Sequence, residues 1–271
     1  MTRIAARFAA LRREGRGALI PFVEAWDPDG ATSAALLRGM PAAGADLIEI
    51  GIPFTDPMAD GPIIQAAGKR ALRAGVSVRH VLALVRGFRA GDDATPIVLM
   101  GYLNPVLAYG AEDFCRDAAR AGVDGLITVD LPTEEADVLM PLASVHGIDM
   151  IRLVAPTTDD RRLPLVLAGS SGFIYYISIT GITGTRSTTA EHLAEAIPRI
   201  RRVSDLPIAV GFGVRSPAQA AEAVRFADAA VVGSAFCSTI EANLNKPDLV
   251  SKVLAQVHEL ASGVRDAQVR A

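Results

Sequence analysis

The sequence predicts a single-domain α/β fold, a (β/α)8 TIM barrel with an extra N-terminal helix, over residues 1–271. Three observations predict it. Eight apolar runs of strand length alternate with stretches of helical spacing, and runs so apolar belong to a parallel sheet covered on both faces. Half of the residues are hydrophobic and the mean hydropathy is +0.30, enough for one large core. No Gly-x-Gly-x-x-Gly follows the first run and no linker rich in Gly, Ser or Pro divides the chain. The first absence ranks a closed barrel above the open doubly wound sheet that would share the alternation, and the second leaves one domain.

The N-terminal stretch places Ile4, Phe8 and Leu11 on one face of a short amphipathic helix. The strand-length runs are Ala18 to Ala25, Asp46 to Gly51, Pro96 to Tyr102, Gly125 to Val129, Asp149 to Val154, Gly172 to Ser178, Pro207 to Gly211 and Ala229 to Gly233. Helical stretches lie between them: Ser33 to Ala42, Ile63 to Ala74, Val78 to Phe88, Ala111 to Ala121, Glu134 to His146, Ala190 to Arg201 and Pro217 to Phe226.

Composition removes several functions. A net charge of −3 gives no concentrated basic face for nucleic acid. Arg12, Arg13 and Arg16 cluster, which a solvated helix end explains. Cys115 and Cys237 stand far apart with no CxxC, so neither a disulfide framework nor a zinc site is expected, and a reducing cytoplasm fits. The first residues lack the unbroken apolar core of a signal peptide, and no run approaches a membrane span. His80, His146, His192 and His258 fall in helical stretches away from strand ends, where catalysis by a barrel is not expected.

The densest chemistry lies in Asp46 to Pro62. Alternation puts Leu47, Glu49 and Gly51 on one face and Ile48 and Ile50 on the other, so Glu49 points inward if the isoleucines pack on helices. A carboxylate there is costly unless paired, solvated or protonated, and a raised pKa suits a proton shuttle. Backbone donors holding a buried glutamate would give the same pattern. The loop after the strand carries Thr55, Asp56 and Asp60 between Pro53, Pro57 and Pro62, and such loops at strand ends hold the catalytic groups of barrels.

Two glycine turns follow the last two runs. Gly211-Phe212-Gly213-Val214 comes after the seventh, and Gly233-Ser234-Ala235 after the eighth, where it opens a helix. Bare backbone N–H groups and a helix N-terminus suit a phosphate, although tight turns alone also use glycine. After the sixth run, Ile179 to Ser187 is small, polar and glycine-punctuated, as a lid or a solvent-exposed linker would be.

The run Glu49-Ile50-Gly51-Ile52-Pro53-Phe54-Thr55-Asp56-Pro57-Met58-Ala59-Asp60-Gly61-Pro62 closely resembles the signature of the tryptophan synthase alpha chain family. Further blocks in family order cover nearly the whole chain. They include Val98 to Pro105, Asp124 to Ile127, Asp130-Leu131-Pro132, Tyr175 to Ser178, Gly181 to Gly184 and Gly211 to Val214. The resemblance implies retro-aldol cleavage of indole-3-glycerol phosphate to indole and glyceraldehyde 3-phosphate, with no cofactor or metal in this chain. It implies Glu49 as proton carrier and Asp60 as partner of the indole N–H. Strand parity and family correspondence select Phe22, Ile64, Met100, Tyr102, Ile127, Tyr175 and Phe212 as ring-slot walls. Thr183 reaches towards Asp60, and Gly184, Gly213, Gly233 and Ser234 hold the phosphate. The implied partner is a pyridoxal-phosphate beta subunit in an alpha2beta2 assembly, met near Pro53, Asp56, Asn104 and Pro132.

One departure stands out. Where the family usually reads a small residue, then Ala or Leu, then Gly-Asp-Pro, this chain has Glu24-Ala25-Trp26-Asp27-Pro28. Glu24 shares parity with Phe22 and adds a third carboxylate at the mouth; Trp26 narrows the pocket, caps it, or lies outside on the rim. Two other readings stay open: a binding module that has lost useful lyase activity and only activates its partner, and a stand-alone indole-releasing lyase.

Overall fold

The computed structural model describes residues 1–177, 186–211 and 213–267. Helix α1 (Arg3–Glu14) precedes strand β1 (Ala18–Glu24), and then helices and parallel strands alternate. The strands are β2 (Ile48–Gly51), β3 (Ile97–Gly101), β4 (Gly125–Thr128), β5 (Asp149–Met150), β6 (Arg152–Val154), β7 (Ile174–Ile177), β8 (Ile208–Gly211) and β9 (Ala229–Val232). The sheet order is β5-β4-β3-β2-β1-β9-β8-β7-β6. Its two end segments are one run interrupted at Ile151, so β5 on β4 and β6 on β7 close the barrel. The eight expected runs are therefore eight barrel strands, the fifth in two pieces.

Side-chain parity separates two cores. Ile20, Leu47, Val98, Ile127, Phe173, Ala209 and Val231 fill the lumen, and Ile4, Phe8 and Leu11 of α1 pack against its amino-terminal end. Burying each large apolar side chain contributes about 1.5–3 kcal/mol. The alternate residues, such as Leu19, Val23, Ile48, Ile50 and Leu99, pack outward against the helices. The first of these are α2 (Gly30–Ala43), α3 (Pro62–Arg73), α4 (Val78–Arg89), α5 (Leu103–Tyr109) and α6 (Ala111–Ala121). The later ones are α7 (Met140–Val145), α8 (Leu163–Leu167), α9 (Arg186–Arg201), α10 (Pro217–Val224), α11 (Ser234–Ala242) and α12 (Leu249–Asp266).

An aspartate fastens three of the strand starts. Asp46, Asp124 and Asp228 each precede a strand and accept the N–H of Leu19, Ile97 and Ile208 in turn, at 2.8, 2.7 and 2.8 Å. Each also holds arginine. Asp46 binds Arg7 and Arg16, Asp124 binds Arg3 and Arg89, and Asp228 binds Arg201. Arg16 is thus not part of a merely solvated helix end: it turns in to a buried carboxylate, whereas Arg12 and Arg13 stay exposed.

Two helical expectations are corrected, and one helix is added. The stretch from Glu134 to His146 is a 3-10 helix (Thr133–Val138) followed by α7, with Leu139 non-helical between them. Pro141 has no N–H to give to a preceding turn, so the helix restarts with proline in its first turn. Helix α9 begins at Arg186, four residues before the expected Ala190. Helix α12 was not foreseen, although Leu249, Val253, Val257, Leu260 and Val264 recur at helical spacing and are buried.

Candidate active site

Glu49 lies on β2 in register with Phe22 of β1 and Val98 of β3, while Ile48 and Ile50 pack outward. It therefore faces the lumen. Its side chain is 1% exposed, and neither carboxylate oxygen meets a hydrogen-bond donor among the described residues. Burial in apolar surroundings disfavours the charged form and raises its pKa to about 8. Tyr175 of β7 feels the Glu49 charge from across the lumen: burial, and then that charge, push its phenol well above its ordinary value. The bland alternative, a glutamate held by backbone donors, is not what the described residues provide.

Above Glu49 lies a pocket with about 340 Å³ of empty volume. Phe22, Glu24, Asp60, Ile64, Met100 and Tyr102 are among its walls, so five of the sequence-predicted residues converge with Glu24. Asp60 stands in the loop before α3, which starts with Pro62 in its first turn. The Tyr102 hydroxyl accepts the Ala59 N–H at 2.9 Å, which ties that loop to the end of β3. Burial raises the Asp60 pKa, and a hydrogen bond from Tyr102 opposes the rise. Glu49, Ile127 and Tyr175 do not line this pocket. Ile127 belongs to the lumen packing, and Glu49 sits beside Phe22 rather than on the pocket wall.

The two glycine turns lie on neighbouring strands. Gly213 follows β8 at φ 71, a left-handed value, and a Cβ there would meet nothing within 4 Å. Gly233 ends β9 and caps α11 with no side-chain bond, leaving the first amides of the helix without a side-chain cap at Ser234. A Cβ on Gly233 would lie 3.1 Å from the Phe22 ring, so bare backbone is needed for that approach. Thr183, Gly184 and Phe212 lie outside the described residues, as does the expected lid from Ile179 to Thr185. Arg186 and Ser187, expected in that lid, open helix α9.

Comparison with known proteins decides the family. The family model described as tryptophan synthase alpha chain matches residues 8–267. The chain belongs to the tryptophan synthase alpha chain family. It is 64% identical to the tryptophan synthase alpha chain of Granulibacter bethesdensis, covering 100% of this chain and 99% of that one. It is 65% identical to that of Acidiphilium cryptum, covering 98% of each. The crystal structure of the tryptophan synthase alpha chain from Legionella pneumophila superposes with a TM-score of 0.90 at 36% identity, covering 97% of both chains.

Against that family background, the departures after β1 occupy different places. Glu24 lines the pocket and is 6% exposed. Trp26 does not line it. Its ring stacks on His80 of α4 with centroids 4.6 Å apart and covers Gly30 at the start of α2. The residue itself takes φ 66, a value that favours the glycine usual in the family. Asp27, fully buried, is gripped by Arg70 of α3 through Nε at 2.7 Å and Nη2 at 2.9 Å. Sequence reasoning missed that pair because its members are far apart in the chain. Of the residues expected near a tryptophan synthase beta subunit, Asp56, Asn104 and Pro132 are exposed, whereas Pro53 is buried and offers no surface.

Proposed function

We propose that the chain works as the lyase subunit of tryptophan synthase, with Glu49 moving the protons and Asp60 balancing charge on the ring. The family's alpha chains cleave indole-3-glycerol phosphate to indole and glyceraldehyde 3-phosphate. Protonated Glu49, its side chain turned from beside Phe22 into the pocket, gives its proton to indole C3, which leaves the ring as a cation. The resulting carboxylate takes the proton of the adjacent glycerol hydroxyl. That oxygen becomes the aldehyde as the carbon–carbon bond breaks and its electron pair returns to the ring. A group with pKa near 8 can serve in both directions. Asp60 accepts the ring N–H and stabilises the positive charge as it develops. Gly213, Gly233, Ser234 and, from the family pattern, Gly184 hold the phosphate far from the breaking bond.

The observation that carries this reading is Glu49: an inward, sealed carboxyl without a hydrogen-bond partner among the described residues. The reaction as proposed runs on these side chains alone. Indole passes to a beta subunit carrying pyridoxal phosphate, in an alpha2beta2 assembly that Asp56, Asn104 and Pro132 help to dock. A cytoplasmic setting suits both free cysteines, which are buried. The impaired-module reading loses half its motive, because Trp26 does not line the pocket. The test is indole release from indole-3-glycerol phosphate by the chain alone and with its beta partner. Release that the Glu49→Gln variant matches would remove the assignment.

A further inference from the structure

Three polar side chains line the pocket, and two of them stand together. Tyr102 accepts the Ala59 N–H and lies close enough to Asp60 to lower its pKa. The third is Glu24. It is 6% exposed, and no hydrogen bond or ion pair reaches its carboxyl among the described residues. Arg70 of α3 is paired with Asp27 and Glu241.

Its housing is specific. One carboxyl oxygen lies 2.0 Å from where a Cβ on Gly51 would stand, and the other lies 3.5 Å from that position on Gly68 of α3. A side chain at Gly51 would expel the carboxyl, whereas a Cβ at Gly68 would meet it only in ordinary van der Waals contact. The slot thus admits a carboxyl against bare backbone and leaves it facing the pocket. Burial, then the charges of Asp60 and Asp27, push its pKa well above the ordinary value; this favours the protonated form, which both donates and accepts.

A buried carboxyl without a partner among the described residues is open to satisfaction by what enters the pocket. Resting on the lyase reading, we propose that Glu24 determines specificity at the ring end, favouring rings that bear a hydrogen-bonding substituent over rings bearing an apolar group of the same size. The favoured class is hydroxy- or amino-substituted indoles and their glycerol phosphates.

The condensation direction tests this with the full chain, since indole C3 then joins the aldehyde carbon of glyceraldehyde 3-phosphate and free indoles serve as probes. Hydroxyindole and methylindole are compared at each benzo-ring position. At one position or more, wild-type kcat/KM for the hydroxyl exceeds that for the methyl by about tenfold, the effect of one buried hydrogen bond. Glu24→Leu removes that preference or inverts it, whereas Glu24→Gln, which still donates and accepts, keeps it. Ratios within about threefold at every position in the wild type overturn the inference, whatever the variants do. So do identical ratios in wild type and Glu24→Leu. Absence of product from unsubstituted indole would instead sink the lyase reading itself.

Discussion

Phe22 and Glu49 are register partners on β1 and β2, yet Phe22 walls the pocket while Glu49 lies sealed beside it without a hydrogen bond among the described residues. Glu49→Gln preserves shape and removes only the titratable proton. Indole release then falls by about 10²–10⁴-fold, while affinity for a non-reacting substrate analogue stays within about threefold. Steady-state kinetics beside equilibrium binding measure both, and a variant keeping a tenth of wild-type turnover takes Glu49 out of the proton path.

The same carboxyl makes stability depend on pH. Folded Glu49 keeps its proton up to about 8, whereas the unfolded chain loses it near 4.5. Its contribution is whole below the lower value and lost as pH rises through the higher one. Urea unfolding of the wild type across that window carries a falling slope, on the order of 1 kcal/mol per pH unit from this group, that Glu49→Gln lacks. Parallel curves for the two proteins count against a sealed Glu49.

Arg70 is the cation that compensates a fully buried Asp27. Arg70→Ala strands that carboxylate and destabilises the fold by about 3–5 kcal/mol in urea titrations, and Asp27→Asn in the same chain recovers part of the loss. No recovery by the second change would mean that packing, not charge, sets the penalty.

Trp26→Gly relaxes a left-handed residue and gives up a ring stacked on His80. Because that ring does not line the pocket, kcat/KM for cleavage stays within about twofold of wild type and only the melting temperature moves. A rise in turnover would place the ring in the substrate's way.

The barrel was legible because its strands are period-two apolar runs separated by helical spacing, a signal that survives without tertiary information. That Glu49 faces the lumen and that Asp60, Phe22, Met100 and Tyr102 gather at one pocket was legible for a related reason: parity fixes which side of a strand faces the lumen, and the family resemblance names the loop. Parity does not fix which inward residues reach the pocket, so Ile127 and Tyr175 pack in the lumen without lining its wall. The break at Leu139, the Asp27–Arg70 pair and the stacking of Trp26 depend on contacts between distant segments, which no local pattern encodes. Glu24 was noticed only as an oddity, and Gly51 gave it meaning once its position was known.

Helix α1 does more than plug the lumen: its Arg3 and Arg7 each neutralise an acid that anchors a strand. Trimming the chain ahead of Phe8 would leave Asp46 and Asp124 short of a counter-charge each and strip Ile4 from the apolar floor. An affinity tag or fusion belongs ahead of Thr2, whose side chain caps the helix by accepting the Ala5 N–H, because one that replaces the first turn would remove that cap together with Arg3 and Ile4.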